Sequence, residues 1–176
     1  MKPRFCLLDA GPIIELHRLG VWDQVVERAE LVIPSVVAGR EVEFWDSGEG
    51  VGKPIDLRRF IESGAVEVME ADAQLLQETL SLFDPALLDS VHLGELEALA
   101  ILKTWQGDNL PSFCTGDRLA TVALCLLEFS ELAISLEAFL DQVGLSRKLP
   151  RHFGRSVMTS WVEEGRRRFI TGEGLR

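Results

Sequence analysis

The sequence is poor in the residues that build zinc sites and disulfide frameworks. Its three cysteines, Cys6, Cys114 and Cys125, form no CxxC pair, and none has a histidine at metal-ligand spacing. The three histidines are scattered along the chain and indicate no zinc site. Because the cysteines lie among apolar neighbours in predicted strands and a helix, we expect buried, reduced thiols and a reducing compartment.

Long apolar runs and an excess of positive charge are also absent. No run approaches the roughly 18 apolar residues that can span a bilayer, and the apolar run at residues 5–8 is too short for a secretory signal. We therefore expect a cytoplasmic protein without a membrane partner. The net charge of −10 argues against a general nucleic-acid binder, because such binding depends on neutralising phosphates.

The charge is unevenly distributed, and this divides the sequence in two. Residues 146–176 contain eight Lys and Arg against three Asp and Glu, a net charge of +5, so residues 1–145 carry −15. We interpret residues 1–145 as one acidic domain and residues 146–176 as a basic, helical C-terminal extension. The extension is expected to contact phosphates or to dock on an acidic surface. We interpret the tryptophans, including Trp161, as packing groups rather than base-stacking platforms.

Short apolar runs alternate with helical patterns, which is typical of a parallel sheet covered by helices. The predicted strands are residues 4–8, 31–33, 65–69, 112–114 and 132–136. Ser35 is expected to cap a helix that carries Glu41 and ends near Asp46. Three glycines and a proline at 47–55 predict a loop. These patterns together predict an α/β fold.

Four acidic residues occupy strand ends or helix starts in this pattern. Asp9 and Asp117 each follow a short apolar run, Glu95 opens a predicted helix, and Glu41 follows the second strand. Carboxylates at such positions can converge at one edge of a parallel sheet. Hard oxygen ligands of this kind hold Mg²⁺ or Mn²⁺. The pattern therefore indicates a divalent-metal site.

Each acid also has a purely structural interpretation. The two aspartates could simply cap the helix or the turn that follows them. Only one of Glu41 and Glu43 can face a site from the same helix, and Glu41 is favoured. Glu95 and Glu97 pose the same choice, and Glu97 is then expected to be a lesser contributor or a solvated glutamate.

In four segments the chain resembles the PIN-domain superfamily of metal-dependent nucleases. The segments are residues 7–14, 33–41, 94–100 and 114–120. They follow the order of the family's motifs and, with the predicted strands, spread over residues 4–136. The resemblance implies a three-layer α/β/α sandwich with a parallel sheet of about five strands. It also implies hydrolysis of single-stranded RNA with Mg²⁺ or Mn²⁺ as cofactor.

The resemblance also assigns roles to individual residues. It implies a catalytic set of four acids, Asp9, Glu41, Glu95 and Asp117. Three of them, Asp9, Glu95 and Asp117, are the implied metal ligands. Thr115 matches a hydroxyl that lies beside the last acid. Apart from the resemblance, Arg118 would support the site if it approaches a phosphate, although a solvated or ion-paired arginine is the favoured interpretation. Size and resemblance further suggest the toxin of a toxin–antitoxin pair, with an antitoxin protein and a second copy of the chain as partners.

Other families that place an aspartate after the first strand fit less well. A haloacid-dehalogenase fold needs a second aspartate where Gly11 stands, and Gly11-Pro12 breaks the glycine-rich fingerprint of a dinucleotide-binding fold. A response-regulator receiver needs an acidic pair before its phosphate acceptor, and this pair is not evident. The alternative that stays open is a catalytically silent PIN-like module for binding or assembly, since a fold alone does not determine activity.

Overall fold

The computed structural model describes residues 4–42, 44–46, 52–106 and 110–176. The strands are β1 (Arg4–Leu8), β2 (Glu30–Pro34), β3 (Phe44–Asp46), β4 (Gly52–Pro54), β5 (Val66–Met69), β6 (Ser112–Cys114) and β7 (Ala133–Ile134). The α-helices are α1 (Ala10–Arg18), α2 (Trp22–Arg28), α3 (Arg58–Glu62), α4 (Ala73–Leu80), α5 (Pro85–Leu88), α6 (Leu93–Lys103), α7 (Arg118–Leu126), α8 (Leu136–Gln142) and α9 (Arg155–Thr171).

Parallel pairing joins five of these strands in the order β5-β2-β1-β6-β7. The pairing is most extensive among β5, β2 and β1, whereas β6 and β7 contribute only three and two residues. Helices connect successive strands of the sheet, as parallel pairing requires. The predicted α/β class is confirmed. In a parallel sheet the carboxyl ends of the strands share one edge, and this edge is where the predicted acids are expected.

Two clusters of buried apolar side chains cover opposite faces of the sheet. Leu31 and Ile33 of β2 belong to the first cluster and Val32 to the second, because successive side chains of a strand point to opposite faces. Phe139 of α8 packs in the first cluster and Leu99 of α6 in the second. The sheet is therefore buried on both sides, which explains why its strands are apolar at nearly every position.

The segment after β2 differs from the prediction. The helix that Ser35 was predicted to cap, ending near Asp46, is shorter: residues 35–36 are helical and a five-residue π-helical turn, Val37–Glu41, follows them. Residues 44–46 form β3, which pairs antiparallel with β4. Five of the nine residues in the loop predicted at 47–55 lie outside the described residues, and β4 occupies the next three. Aromatic side chains in β3 favour an extended strand over a continued helix, so the prediction of one long helix was wrong.

Residues 146–176 pack against the rest of the chain. A 3₁₀ turn, Arg151–Phe153, precedes α9, and α9 lies along α7. Gly165 permits this contact, because a Cβ atom there would come within 2.6 Å of the Cβ of Cys125. Phe153 is buried in the first core cluster. The extension is thus continuous with the core, while the division of the chain at residue 145 stays a prediction.

Two further expectations drawn from composition concern the cysteines and long apolar helices. Cys114 and Cys125 are buried and form no disulfide, while the side chain of Cys6 lies outside the described part of the structure. Burial raises the pKa of both thiols, that of Cys125 to about 11, so they remain protonated and unreactive at neutral pH. Within the described part of the chain, no helix is both long enough and apolar enough to cross a membrane.

Candidate active site

The four predicted acids line a single pocket at the edge of the sheet. Asp9 directly follows β1, and Asp117 lies three residues after β6. Glu41 ends the π-helical turn that follows β2, and Glu95 lies in the first turn of α6. The pocket has a volume of about 400 Å³ and its lining consists of Asp9, Ala10, Gly11, Glu41, His92, Glu95, Gly116, Asp117, His152 and Phe153. Residues that are distant in sequence thus form one acidic surface.

The backbone before Asp9 is strained, and this irregularity determines where the Asp9 side chain lies. Leu7 adopts a φ of +61°, and the register between β1 and β6 shifts between Cys6 and Leu8. A left-handed conformation costs a residue with a side chain roughly 1–2 kcal/mol. Irregularities of this kind redirect side chains next to functional sites. The shift places Asp9 both at the N-terminus of α1 and at the pocket wall.

Asp9 is held by two hydrogen bonds. Its Oδ1 accepts a bond from the Ala10 N–H at 2.6 Å, and its Oδ2 accepts one from the Thr115 hydroxyl at 3.1 Å. Burial raises the pKa of Asp9; these two bonds lower it, and the charges of Glu41 and Asp117 raise it further. The capping interpretation and the site interpretation of Asp9 therefore both apply, because one carboxylate caps α1 and faces three other acids.

Thr115 and Asp117 form the second side of the pocket. Thr115 is only 1% exposed, and its hydroxyl accepts a hydrogen bond from the Asp117 N–H at 3.0 Å while it donates to Asp9. Asp117 caps α7, since its Oδ1 accepts bonds from the N–H groups of Leu119 and Ala120 at 2.7 and 2.9 Å. Thr115 thereby fixes the relative positions of the two aspartates, as expected for a hydroxyl beside the last acid.

Glu95 carries an unsatisfied buried oxygen. The residue is 1% exposed, and its Oε2 accepts a hydrogen bond from the His92 N–H at 3.0 Å. Its Oε1 is buried and has no hydrogen-bond partner among the described residues. Burial, followed by the charges of Asp9 and Asp117, raises the pKa of Glu95 to about 9. A buried acceptor without a donor is costly, and a cation or a proton bound to this oxygen would remove that cost.

Glu41 reaches the pocket because a glycine lies beside it. Its Oε1 accepts a hydrogen bond from the Gly94 N–H at 3.1 Å. A Cβ atom at Gly94 would lie 2.9 Å from the Glu41 Cδ and 2.6 Å from the Val37 Cγ2. Real Cβ atoms do not approach other atoms so closely. The competing residue, Glu43, lies outside the described residues, so only Glu41 can be placed at the site.

Replacing Gly94 by alanine tests this close approach. Gly94→Ala is expected to displace Glu41 and to lower the free energy of unfolding by about 1–3 kcal/mol, the usual cost of overpacking. Gly39→Ala is the matched control, because Gly39 lies in the π-helical turn and a Cβ there meets nothing within 4 Å. Urea unfolding of both variants provides the measurement. Equal stability of the two variants would contradict the contact.

Glu97 is neither a pocket residue nor a solvated glutamate. It is 3% exposed, and its carboxylate accepts hydrogen bonds from the Ser35 hydroxyl at 2.7 Å and from the Val36 N–H at 2.8 Å. A third bond comes from the Ala71 N–H at 3.3 Å. Glu97 thus joins α6 to the end of β2 and to the segment after β5. The expectation of a solvated side chain was wrong because three donors from distant segments compensate its burial.

Arg118 does not line the acidic pocket. Its guanidinium forms an ion pair with Glu164 of α9 at 2.6 Å. Glu164 also pairs with Arg168 at 2.8 Å, so two arginines share one carboxylate. Arg118 therefore joins α7 to α9, as in the ion-paired alternative, and its approach to a phosphate stays a prediction.

Three ring-bearing pocket residues, His92, His152 and Phe153, were not anticipated from the sequence. His92 immediately precedes α6. His152 and Phe153 come from the 3₁₀ turn before α9, and their rings pack with centroids 4.1 Å apart. They approach closely because Gly116 has no side chain: a Cβ atom there would come within 2.5 Å of the Phe153 ring. A weak signal existed in the sequence, namely an imidazole and an aromatic ring within the basic extension. No local pattern, however, specifies contact with residues 116–117.

The pocket lining contains many carboxylate oxygens that could bind a metal, but they do not surround a single point. Among the described residues, no three or more His, Cys, Asp or Glu side chains are grouped closely enough to hold a metal ion. The carboxylates are coupled electrostatically, since the charges of the other three acids all raise the pKa of Glu95. The side-chain torsions of these acids would therefore have to change to bring their oxygens around one cation.

Comparisons with protein-family models, with curated proteins and with solved structures give no match for this chain.

Proposed function

We propose that the chain is a metal-dependent nuclease that hydrolyses phosphodiester bonds of single-stranded RNA. The observation that carries the proposal is the buried, unpartnered Oε1 of Glu95, in a pocket that three further carboxylates line. Four like charges repel each other unless a cation or protons neutralise them. Carboxylate oxygens are ligands for Mg²⁺ and Mn²⁺. The chemistry of the donors thus suits a hard divalent ion.

Asp9, Glu95 and Asp117 would hold the cation. Asp9 and Asp117 each use one oxygen to cap a helix, and Asp9 uses its other oxygen to accept from Thr115. Thr115 is thus a positioning residue, because its hydroxyl fixes both the Asp9 carboxylate and the Asp117 backbone. When bound, Mg²⁺ or Mn²⁺ would lower the pKa of a coordinated water and offset charge on the attacked phosphate.

Glu41 is the proposed proton acceptor. Only its Oε1 has a hydrogen-bond partner among the described contacts, the Gly94 N–H, and the side chain borders the pocket. In the proposed reaction, water adds to phosphorus and its proton passes to Glu41. One P–O ester bond breaks, and the departing oxygen takes up a proton from solvent water. Glu41 ends the π-helical turn that follows β2, and its hydrogen-bond donor, Gly94, lies in the first turn of α6. The sheet therefore fixes the acceptor relative to Asp9.

The PIN-like three-layer fold and the toxin role belong to the same proposal. Parallel strand pairing and helices on both faces of the sheet support the fold assignment. An antitoxin that inserted a basic side chain among the carboxylates would occupy the place of the cation and inhibit without covalent change. Association of two copies is expected from the resemblance alone. The competing candidate is a catalytically silent module, favoured by the net charge of −10 and by the dispersed carboxylates.

Cleavage of a single-stranded RNA with Mg²⁺ or Mn²⁺, compared with EDTA, tests the proposal directly. Cation-dependent cleavage is expected. The cation should also raise the melting temperature, since about a 100-fold excess over Kd stabilises a protein by roughly 2.7 kcal/mol. A thermal shift without cleavage would favour the silent module. If the protein shows no cleavage and no thermal shift, the metal site itself is contradicted.

A further inference from the structure

A second pocket adjoins the acidic one. It has a volume of about 510 Å³, and its lining residues are Arg151, His152, Ser156, Val157, Ser160 and Trp161. His152 lines both pockets, so the two share a wall. Among the described residues, none that lines the second pocket is a carboxylate, whereas four line the first. A ligand that occupies both pockets would therefore contact carboxylates in the first and Arg151 in the second.

The second pocket is built on one face of α9. Ser156 and Ser160 are one helical turn apart, as are Val157 and Trp161, so their side chains lie above one another. Trp161 is half-exposed, and no ring among the described residues stacks on its indole. The pocket thus combines a half-exposed indole with two hydroxyl groups. Stacking on an aromatic ring accommodates any nucleobase.

Arg151 provides a cation that none of the described acids pairs with. Its guanidinium forms no ion pair within the described residues, while those of Arg118, Arg155 and Arg168 are all paired with carboxylates. Arginine binds phosphate through two parallel hydrogen bonds. Because Arg151 precedes His152 directly, its charge lies next to the wall that the two pockets share.

We propose that the second pocket binds one nucleotide of the RNA strand whose neighbouring phosphodiester lies in the acidic pocket. The base stacks on Trp161, and Arg151 binds the phosphate. This inference rests on the proposed nuclease function and adds a substrate-binding site to it. It also resolves a difficulty of charge, because an acidic body repels RNA. The strand enters over the basic extension, where its phosphate is neutralised before the next one meets the carboxylates.

The chemistry of the pocket favours a nucleotide over an acidic protein segment. A peptide rich in carboxylates would need several cations, and Arg151 is the one arginine in the lining. The indole face and the hydroxyls of Ser156 and Ser160 suit a base and a sugar, which present a flat ring and hydrogen-bonding edges. A nucleotide uses the guanidinium, the indole and both hydroxyls of the lining, while an acidic peptide leaves the indole without a role.

Titration of tryptophan fluorescence with 5′-UMP tests the subsite without requiring cleavage, because a mononucleotide has no internucleotide bond. Quenching of the tryptophan fluorescence is expected in the wild type and should be lost in Trp161→Leu, which keeps the other three tryptophans. Trp161→Leu, which keeps an apolar side chain but removes the stacking face, should weaken binding roughly 10-fold. Arg151→Ala should weaken it by a similar factor, since hydrogen bonds to charged groups contribute that much. Affinity for Trp161→Leu is measured by displacement of a fluorescent nucleotide.

Arg167→Ala is the matched control. Like Arg151→Ala, it removes one positive charge from the basic extension. Arg167, however, is exposed and lies roughly 9 Å further along α9 than Trp161. Its affinity for 5′-UMP should equal that of the wild type. Melting temperatures of all three variants verify that they fold. The subsite is refuted if Arg151→Ala and Arg167→Ala weaken binding equally. It is also refuted if 5′-UMP leaves the tryptophan fluorescence of the wild type unchanged.

Kinetics separate this inference from the function on which it rests. If RNA is cleaved, Arg151→Ala and Trp161→Leu should raise KM with kcat unchanged, since they remove binding remote from the reacting atoms. Normal cleavage with an unchanged KM in both variants would reject the subsite and leave the nuclease intact. Selective loss of 5′-UMP binding in a protein that cleaves no RNA would support the subsite and reject the nuclease.

Discussion

Asp117→Asn is expected to reduce RNA cleavage by at least about 100-fold. Replacing groups that merely orient metal ligands already costs 10–100-fold, and a direct ligand should cost at least as much. Asparagine caps helices as well as aspartate does, so the bonds to Leu119 and Ala120 are kept. The variant loses a charge that raises the pKa of both Asp9 and Glu95. Without a cation it should therefore be more stable than the wild type, by an amount of order 1 kcal/mol.

Asp72→Asn is the matched control for this variant. Asp72 caps α4 in the same way, accepting bonds from the N–H groups of Gln74 and Leu75, and it does not line the acidic pocket. Both substitutions remove a favourable charge from a helix N-terminus, which costs typically 0.3–1 kcal/mol. The difference between them therefore isolates the repulsion within the pocket. Cleavage by Asp117→Asn at the rate of Asp72→Asn would remove Asp117 from the catalytic set.

The four acids were predictable because their positions follow from local rules. A parallel sheet brings the carboxyl ends of its strands to one edge, so Asp9 and Asp117 had to be neighbours once β1 and β6 were recognised. Helix starts at the same edge bring in Glu95. Glu41 was predicted for a partly wrong reason, since a π-helical turn and not a long helix carries it.

The rest of the site depends on packing between distant segments. Phe153 and His152 reach the pocket only because α9 lies along α7 and because Gly116 leaves room for the Phe153 ring. Neither contact leaves a periodic signal in the sequence. The burial of Glu97 is similar, since its three donors come from two other segments of the chain. Residue type and spacing therefore identify candidate ligands, but which glutamate is structural depends on the tertiary fold.

The stability of the cation-free protein should fall as pH rises from about 5 to 9. The folded-state pKa of Glu95, about 9, is far above the ordinary value of 4.5. Between these values the folded protein keeps a proton that the unfolded chain has lost, so unfolding releases a proton. The free energy of unfolding then decreases by up to about 1.4 kcal/mol per pH unit. The raised pKa of Asp9 acts in the same direction, and the total loss should amount to several kcal/mol.

Glu95→Gln should remove most of this pH dependence. The amide is neutral at every pH, can still accept from the His92 N–H, and can donate to a neighbouring carboxylate. At pH 8 without cations the variant should therefore be more stable than the wild type. Glu78→Gln is the control, because Glu78 is an exposed glutamate on α4 and its charge lies in solvent. Urea unfolding at pH 5, 7 and 9 gives the change in the free energy of unfolding with pH for the wild type and for both variants.

Divalent cations should change the pH dependence of the wild type in a specific way. Metal binding requires the ionised carboxylates and releases the proton, so the affinity for Mn²⁺ should increase with pH. Saturating Mn²⁺ is therefore expected to raise the free energy of unfolding of the wild type most at pH 8–9, where the cation-free protein is least stable. Glu95→Gln should gain much less. If the wild type is equally stable at pH 5 and 9 without cations, the Glu95 carboxyl is not buried among three other acids, and the proposed site loses its physical basis.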